Sequence, residues 1–280
     1  MKKIKIISLG ILILAVFLIW VRIIEAKSGD FLKIVFFDIG QGDAIFLETP
    51  NHTQALFDGG PDSSVLNRLG KAMPLLDRTL DFIFVSHPDQ DHIAGLISVF
   101  DKYKVLNVVV SGVESDTQVY QTLLQRIKKE NANFITATGG QVFDFNDGVL
   151  VRIFFPDRPA TNFETNTGSL ITQIDFNDIE VMLTGDSPQA IEKYLIDLYG
   201  DKLQSEILKA GHHGSKTSNS EGFLKIVNPE FFVISVGADN KYGHPNQQVL
   251  DILDKLNLSF LRTDERGDIK FFSDGIKIWR

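Results

Sequence analysis

Ser86-His87-Pro88-Asp89-Gln90-Asp91-His92 decides how this chain is read. Four apolar residues, Phe82-Ile83-Phe84-Val85, precede it, and an apolar run of helical spacing over 93–100 follows. The stretch therefore reads as a loop between a strand and a helix. His87, Asp89, Asp91 and His92 lie within six positions. Alternate side chains of such a loop can converge on one or two ions. Neutral imidazole and ionised carboxylate are the donors a divalent cation needs. A polar loop with a helix-capping Asp would look the same in isolation, so the rest of the chain must separate the two readings.

The same placement recurs. Leu183-Thr184-Gly185-Asp186 sets a carboxylate directly after an apolar run, although Gly-Asp alone is an ordinary turn. The stretch from Lys209 to Ser218, with His212 and His213 between Gly211 and Gly214, follows another run. Adjacent histidines between glycines are unusual for packing. Tyr242-Gly243-His244-Pro245 lies beyond a third strand. Five of the six histidines thus fall in three loops at strand ends, and His52, in the Pro50-Asn51-His52 turn, reads as a surface residue.

Around these loops the chain reads as one α/β domain over residues 30–280. Strands are predicted at 32–37, 44–49, 54–58, 82–86 and 105–111, then at 149–155, 169–176, 179–184, 206–209 and 231–236. Two short strands, 269–272 and 276–279, flank the Asp274-Gly275 turn. Helices are predicted at 93–100, 117–130, 190–199 (after Pro188), 221–227 and 247–256. Two β-rich halves, each with helices, imply two packed sheets with helices outside.

The composition narrows the chemistry. At 280 residues, 44% hydrophobic and 23% charged, the chain is not disordered, collagen-like or a coiled coil. It has no cysteine, so a metal site must be built from histidine and carboxylate. Residues 4–24 are almost wholly apolar and follow Lys2 and Lys3, with Lys5 at their start. A run of about 20 apolar residues is long enough to span a bilayer. Residues 1–27 therefore read as a signal anchor, a single-pass transmembrane segment with the domain extracytoplasmic, and a cleaved signal peptide is the alternative. The net charge of −8 argues against broad electrostatic capture of nucleic acid. Residues 1–27 hold five of the 28 basic residues and one of the 36 acidic ones, which leaves −12 beyond them.

Seven stretches together resemble the metallo-β-lactamase superfamily, and within it the extracellular domain of ComEC-type competence proteins. They are the run Phe37-Asp38-Ile39-Gly40-Gln41-Gly42-Asp43-Ala44, Phe57-Asp58-Gly59-Gly60, His87 to His92, Asn166-Thr167-Gly168-Ser169-Leu170, Leu183 to Asp186, Gly211 to Ser218 and Asn240 to Pro245. They stand in the family's order and span residues 31–280. The resemblance implies an αββα sandwich with a two-metal site at one edge between the sheets. It implies that His87 and Asp89 bind a first ion, that Asp91, His92 and His213 bind a second, and that Asp186 bridges both. Asp58 would orient the ligand loop, while His212, His244, Ser215, Lys216 and Asn240 would contact a phosphate or leaving group. Two departures from the superfamily pattern, Asp89 where a histidine is usual and Asn166 where another is usual, are shared by ComEC-type domains. They make the first position rich in oxygen, which favours manganese or magnesium over zinc there and argues against a zinc β-lactamase.

The implied activity is metal-dependent phosphodiester hydrolysis, with single-stranded DNA as substrate and a link to DNA uptake. A ComEC-type protein also carries the many membrane helices of a DNA channel. One hydrophobic segment cannot form one, so a separate channel protein would be the partner. A cell-envelope phosphodiesterase acting on choline-phosphate esters and an inactive binding module are the alternatives. Lys209, Lys216, Lys225 and Lys241 lie on or near the site loops and would form a local basic strip.

Overall fold

The structure is a computed structural model that describes residues 9–17 and 31–280. In chain order its first half holds β1 (Leu32–Phe36), β2 (Ile45–Glu48), β3 (Gln54–Phe57), α1 (Ser64–Ala72), β4 (Thr79–Val85), α2 (Gln90–Phe100), β5 (Lys104–Val110), α3 (Gln118–Glu130) and β6 (Asn133–Thr136). The second half holds β7 (Val142–Asp144), β8 (Val149–Phe155), β9 (Ile171–Phe176), β10 (Ile179–Leu183), α4 (Gln189–Tyr199), β11 (Ile207–Lys209), α5 (Glu221–Val227), β12 (Phe231–Ile234), α6 (Gln247–Leu256), β13 (Phe260–Arg262) and α7 (Thr263–Arg266). The last strands, β14 (Ile269–Ser273) and β15 (Ile278–Trp279), return to the first half.

The strands read as apolar runs because both of their faces are covered. In β4, Phe84 points into the space between the sheets, whereas Ile83 and Val85 pack under helices on the outside. Likewise in β10, Val181 and Leu183 face inward while Met182 faces out. Three apolar layers result. One lies between the sheets, one joins the first sheet to α1, α2 and α3, and one joins the second sheet to α4, α5 and α6. This is the αββα arrangement the sequence implied.

The eight-stranded sheet runs β15-β14-β1-β2-β3-β4-β5-β6, and the seven-stranded sheet runs β13-β12-β11-β10-β9-β8-β7. Each sheet changes once from antiparallel to parallel pairing. The first changes at β3–β4 and the second at β10–β11. The C-terminal ends of β4, β10, β11 and β12 consequently open toward one edge, and the loops that follow them meet there. The amide of Leu170 donates to the Ser86 carbonyl at 2.8 Å, and that of His212 to the Gly185 carbonyl at 3.1 Å, tying these loops together.

Several elements differ from the sequence reading. The helix expected at 93 begins at Gln90, and the strand expected at 82 begins at Thr79. Helix α1 was not anticipated, although Val65, Leu66 and Leu69 pack against the first-sheet core at helical spacing. Strands β6, β7 and β13 were also missed. Strands β6 and β7 are sheet edges that bury almost nothing, and β13 is three residues long. The expected anchor over 1–27 lies mostly outside the described residues. Within it, residues 9–17 are helical, and among the described residues no helix is long and apolar enough to cross a membrane.

Candidate metal centre

The centre is assembled on the turn after β3. Asp58 adopts a left-handed backbone conformation (φ 57°) and its carboxylate turns inward. There it accepts the Ser86 amide at 2.8 Å, the Ser86 hydroxyl at 2.6 Å and the Nδ1 of His92 at 2.9 Å. Helix α2 then docks directly on Gly59 and Gly60. The Gly59 amide donates to the His92 carbonyl at 2.7 Å, and a β-carbon on Gly95 would sit 1.9 Å from the Gly59 carbonyl oxygen. Glycine at 95 is what lets this helix approach so closely. The Asp89 carbonyl accepts the amides of His92 and Ile93, so Asp91 and His92 stand on the first helical turn and not in the loop expected for them.

Three buried imidazoles are each held through Nδ1. His87 meets the Ser86 hydroxyl at 2.9 Å, His92 meets Asp58, and His213 donates to the Ser235 carbonyl at 3.0 Å. The Nε2 atoms of all three are buried and have no hydrogen-bond partner, as has Oδ1 of Asp186. They face one another. His92 Nε2 lies 3.5 Å from Asp186 Oδ1, and His213 Nε2 lies 3.5 Å from Asp91 Oδ2 and 3.6 Å from Asp186 Oδ2. His87 Nε2 is 3.7 Å from Asp89 Oδ2 and 3.9 Å from Asp186 Oδ2. An unsatisfied buried polar atom costs about 1–3 kcal/mol, so four around one point call for a common partner. A divalent cation fits this donor set, and fixing imidazoles from behind is how metal ligands are oriented. Donor atoms of His87, His92 and Asp186 all lie within 4.8 Å of one another, as do those of Asp91, His92 and His213. Five of the six residues expected to bind metal fall in these two groups, with His92 common to both and Asp186 within 3.6 Å of His213, while Asp89 meets the cluster at His87.

The electrostatics reflect the crowding of charge. Burial pushes the His87 imidazole down to about 3. Burial opposes charge on His213 too, but Asp186, Asp43 and Asp91 overcome it and raise its pKa to about 9. For Asp91, burial is outweighed by the facing His213 imidazole and by His92 nearby, and its pKa falls to about 2. Asp186 is likewise held well below the carboxylate range, with His213, His92 and Lys209 overcoming its burial. Burial raises Asp89, which is two-fifths exposed at the rim.

Two residues lie beneath the centre where the sequence reading did not place them. Asp43 is buried 3.5 Å from His213 Nδ1 and 3.8 Å from His92 Nδ1. It forms an ion pair with Lys209, whose ammonium also donates to the Gly185 carbonyl at 3.2 Å and lies 3.7 Å from Asp186. Lys209 is 0% exposed, which corrects its expected place in a basic strip. Lys225 departs from that strip as well, since it pairs with Glu221 on α5 at 2.7 Å. Lys216 and Lys241 are exposed.

The remaining candidates divide. His212 Nε2 lies 3.6 Å from Asp186, and the His212 and His244 rings pack 5.4 Å apart at the mouth. Burial lowers both, His244 to about 4. His212 and His213 both occupy the left-handed region (φ 48° and 55°), a cost of order 1–3 kcal/mol each. Asn219 holds that turn by bonding the Gly211 amide and carbonyl and the Ser215 carbonyl. Asn166 presents a buried, unpartnered Oδ1. Ser215 and Asn240, expected to meet substrate, make hydrogen bonds within their own loops. The Ser215 hydroxyl pairs with Thr217 at 2.9 Å, while Asn240 bonds the Gly237 carbonyl and both the amide and carbonyl of His244. Asn240 therefore positions His244.

The metallo-beta-lactamase superfamily profile matches residues 37–237, which includes every loop of this centre except the one bearing Asn240 and His244. The chain belongs to the metallo-beta-lactamase superfamily. Among its curated relatives, ComE operon protein 3 of Bacillus subtilis is 28% identical over 94% of this chain and 35% of its own length. Competence protein ComA of Neisseria gonorrhoeae is 28% identical over 88% of this chain and 33% of its own. These are competence proteins of the ComEC type, as the motifs implied, and the chain spans about a third of their length. Among solved structures, the metallo-beta-lactamase fold protein YhfI from Bacillus subtilis superposes with a TM-score of 0.58 at 12% identity, over 86% of this chain and all of its own. The metallo hydrolase Igni18 from Ignicoccus hospitalis gives 0.55 at 14% identity, over 86% and 98%. The likeness to these structures is one of fold. Family and cluster together imply a hydrolase that uses divalent metal.

Proposed function

We propose that this metallo-beta-lactamase-fold chain is a two-metal phosphodiester hydrolase whose substrate is single-stranded DNA. The observation that carries the reading is the set of three Nδ1-held imidazoles and three carboxylates converging at the edge of the sandwich. His87 and Asp89 would hold one manganese, magnesium or zinc ion, Asp91, His92 and His213 a second, and Asp186 both. Two such ions acidify water and draw charge from a phosphoryl group. The chain's own residues do the rest. Asp58, Ser86 and the Ser235 carbonyl keep the imidazoles in one tautomer and orientation. His244 stands at the mouth with its ring 5.4 Å from that of His212, where a neutral imidazole can hydrogen-bond a phosphoryl or leaving oxygen.

An elongated substrate suits the surface. Two open volumes of about 460 Å³ and 430 Å³ flank the ligand loop and share Gln90. Asp91, Lys241 and Tyr242 line one, and Asp89 and Thr117 line the other. A strand crossing from one to the other would pass directly over the metal ligands. The matched relatives include competence proteins, which supports DNA over other phosphodiesters. In DNA uptake the chain would act beside a separate channel protein, anchored to the cell membrane by its N-terminal segment. The test is a panel with defined metals, comparing single-stranded DNA, bis-p-nitrophenyl phosphate and p-nitrophenyl phosphorylcholine, with metal content measured on the same preparations. The reading expects two ions per chain and preference for DNA. Turnover of the choline ester alone would overturn the substrate, and a chain that holds no metal would overturn the chemistry.

A further inference from the structure

The end of the domain opposite the metal centre carries a bare apolar tip. The loop between α1 and β4 contains Leu75 and Leu76, which are 82% and 92% exposed. They are adjacent in sequence, so the exposure is a feature of the loop's tip and not one misplaced side chain. Strand register places the start of β1 at this same end. Lys33 lies opposite Glu48, and Glu48 opposite Gln54, whose side chain bonds Asp77 in the loop. The Lys33 ammonium also donates to the Ala72 carbonyl at the end of α1. Leu32 pairs with Ser273, so the turn that exposes 68% of Ile276 lies at this same end of the sheet, four strands along from β4. Large apolar side chains left in water this way mark a surface that is covered in use.

The surroundings of the tip say what covers it. Lys71, Arg78, Lys102 and Lys104 are all exposed around it, and none forms a side-chain salt bridge among the described residues. The Lys104 amide donates to the Arg78 carbonyl, so the last three sit together at the start of β4 and β5. Of the nearby acids, Asp101 pairs with Arg126, and Asp77, which bonds Gln54 and the Thr79 amide, is one carboxylate against four cations. A chain of net charge −8 thus surrounds its two barest leucines with an excess of positive charge. The apolar sequence run 4–24 joins β1 at this end, with only residues 25–31 between. Its described part, residues 9–17, is a helix with apolar side chains exposed on every side, so it does not cover the tip. Apolar side chains ringed by lysine and arginine match an interface with anionic lipid, where the leucines enter the acyl boundary and the cations meet headgroups.

We propose that this end of the domain docks on an anionic bilayer surface through Leu75 and Leu76, rimmed by Lys71, Arg78, Lys102 and Lys104. The docking turns the metal centre away from the membrane. It goes beyond the hydrolase reading and does not depend on it.

The chain has no cysteine, so a single label can be introduced cleanly. The full chain with Leu76→Cys is labelled with an environment-sensitive nitrobenzoxadiazole and reconstituted in nanodiscs of phosphatidylcholine and phosphatidylglycerol. Asn162→Cys, on an exposed loop at the metal-centre end, is the control. The Leu76→Cys label should shift to the blue, lose emission to spin-labelled lipid and resist iodide, while the control does none of these. A label at position 76 as open to iodide as the control would overturn the proposal. Shielding from both iodide and spin-labelled lipid would overturn it as well, because a protein surface would then be the occupant.

Discussion

Lys209 and Asp43 form an ion pair with no access to water, directly beneath the imidazoles of His92 and His213. The pair joins the loop before β2 to the end of β11, and so ties one sheet to the other under the site. Breaking such a pair from one side leaves a buried charge without a partner, at a cost of about 3–5 kcal/mol. Lys209→Met should lower unfolding free energy by that amount in denaturant titrations. The double variant Lys209→Met with Asp43→Asn should recover part of it. Equal stability of the single and double variants would show that the charge on Asp43 is not the source.

A second pair, Glu180 and Glu206, at the opposite end of β10 from the site, gives stability a pH dependence. Burial and a hydrogen bond shared with Glu206 push the Glu180 carboxyl up to about 7. Its folded pKa lies above its ordinary value, so its contribution is complete below about 4.5 and is lost as pH rises through 7. Denaturation midpoints should therefore fall between pH 5 and 8 by more in the wild type than in Glu180→Gln. Parallel profiles would refute the assignment.

Affinity for DNA should respond weakly to salt. Of the four lysines near the site loops, only Lys216 and Lys241 remain exposed and free of an acidic partner among the described residues. Two neutralised phosphates on a single strand correspond to a slope of about −1.4 in log K against log salt. A much steeper slope would mean that the chain holds DNA through a surface other than this cleft.

Tyr242 stands 60% exposed on the cleft wall, with its ring 5.8 Å from that of His244 and nearly parallel to it. Stacking of a base on such a ring contributes about 1–3 kcal/mol. Tyr242→Ala should raise KM for single-stranded DNA by roughly 5- to 150-fold and leave turnover of bis-p-nitrophenyl phosphate unchanged. Tyr242→Phe should restore the DNA value. Equal effects on both substrates would mean that the ring only supports the loop.

The fold and the residues of the cluster were legible for the same reason. Apolar runs buried on both faces are conspicuous, and the polar residues at their ends have few structural reasons to be there. His87, Asp91, His92 and His213 stood out by that contrast, whereas Asp186, in an ordinary Gly-Asp turn, entered through the family resemblance. What the sequence hid depends on distant partners. Lys209 sits next to a loop rich in polar residues, and nothing local indicates that Asp43, far away in the chain, takes it into the core. Asn240 and Ser215 also bind within the turns they occupy, which composition alone does not reveal. Strands β6 and β7 lack any apolar alternation because they lie at sheet edges and bury little.

The central claim is that the His and Asp cluster hydrolyses a nucleic acid backbone. Its most direct test is the rate at which the full chain cleaves single-stranded DNA with manganese, compared with Asp91→Ala. Asp91 lies at the rim and is a third exposed, so its removal leaves the core intact. The account predicts cleavage by the wild type and a loss of at least about 100-fold in the variant, beyond the 10- to 100-fold typical of an outer supporting residue. Equal rates for the two proteins would contradict it.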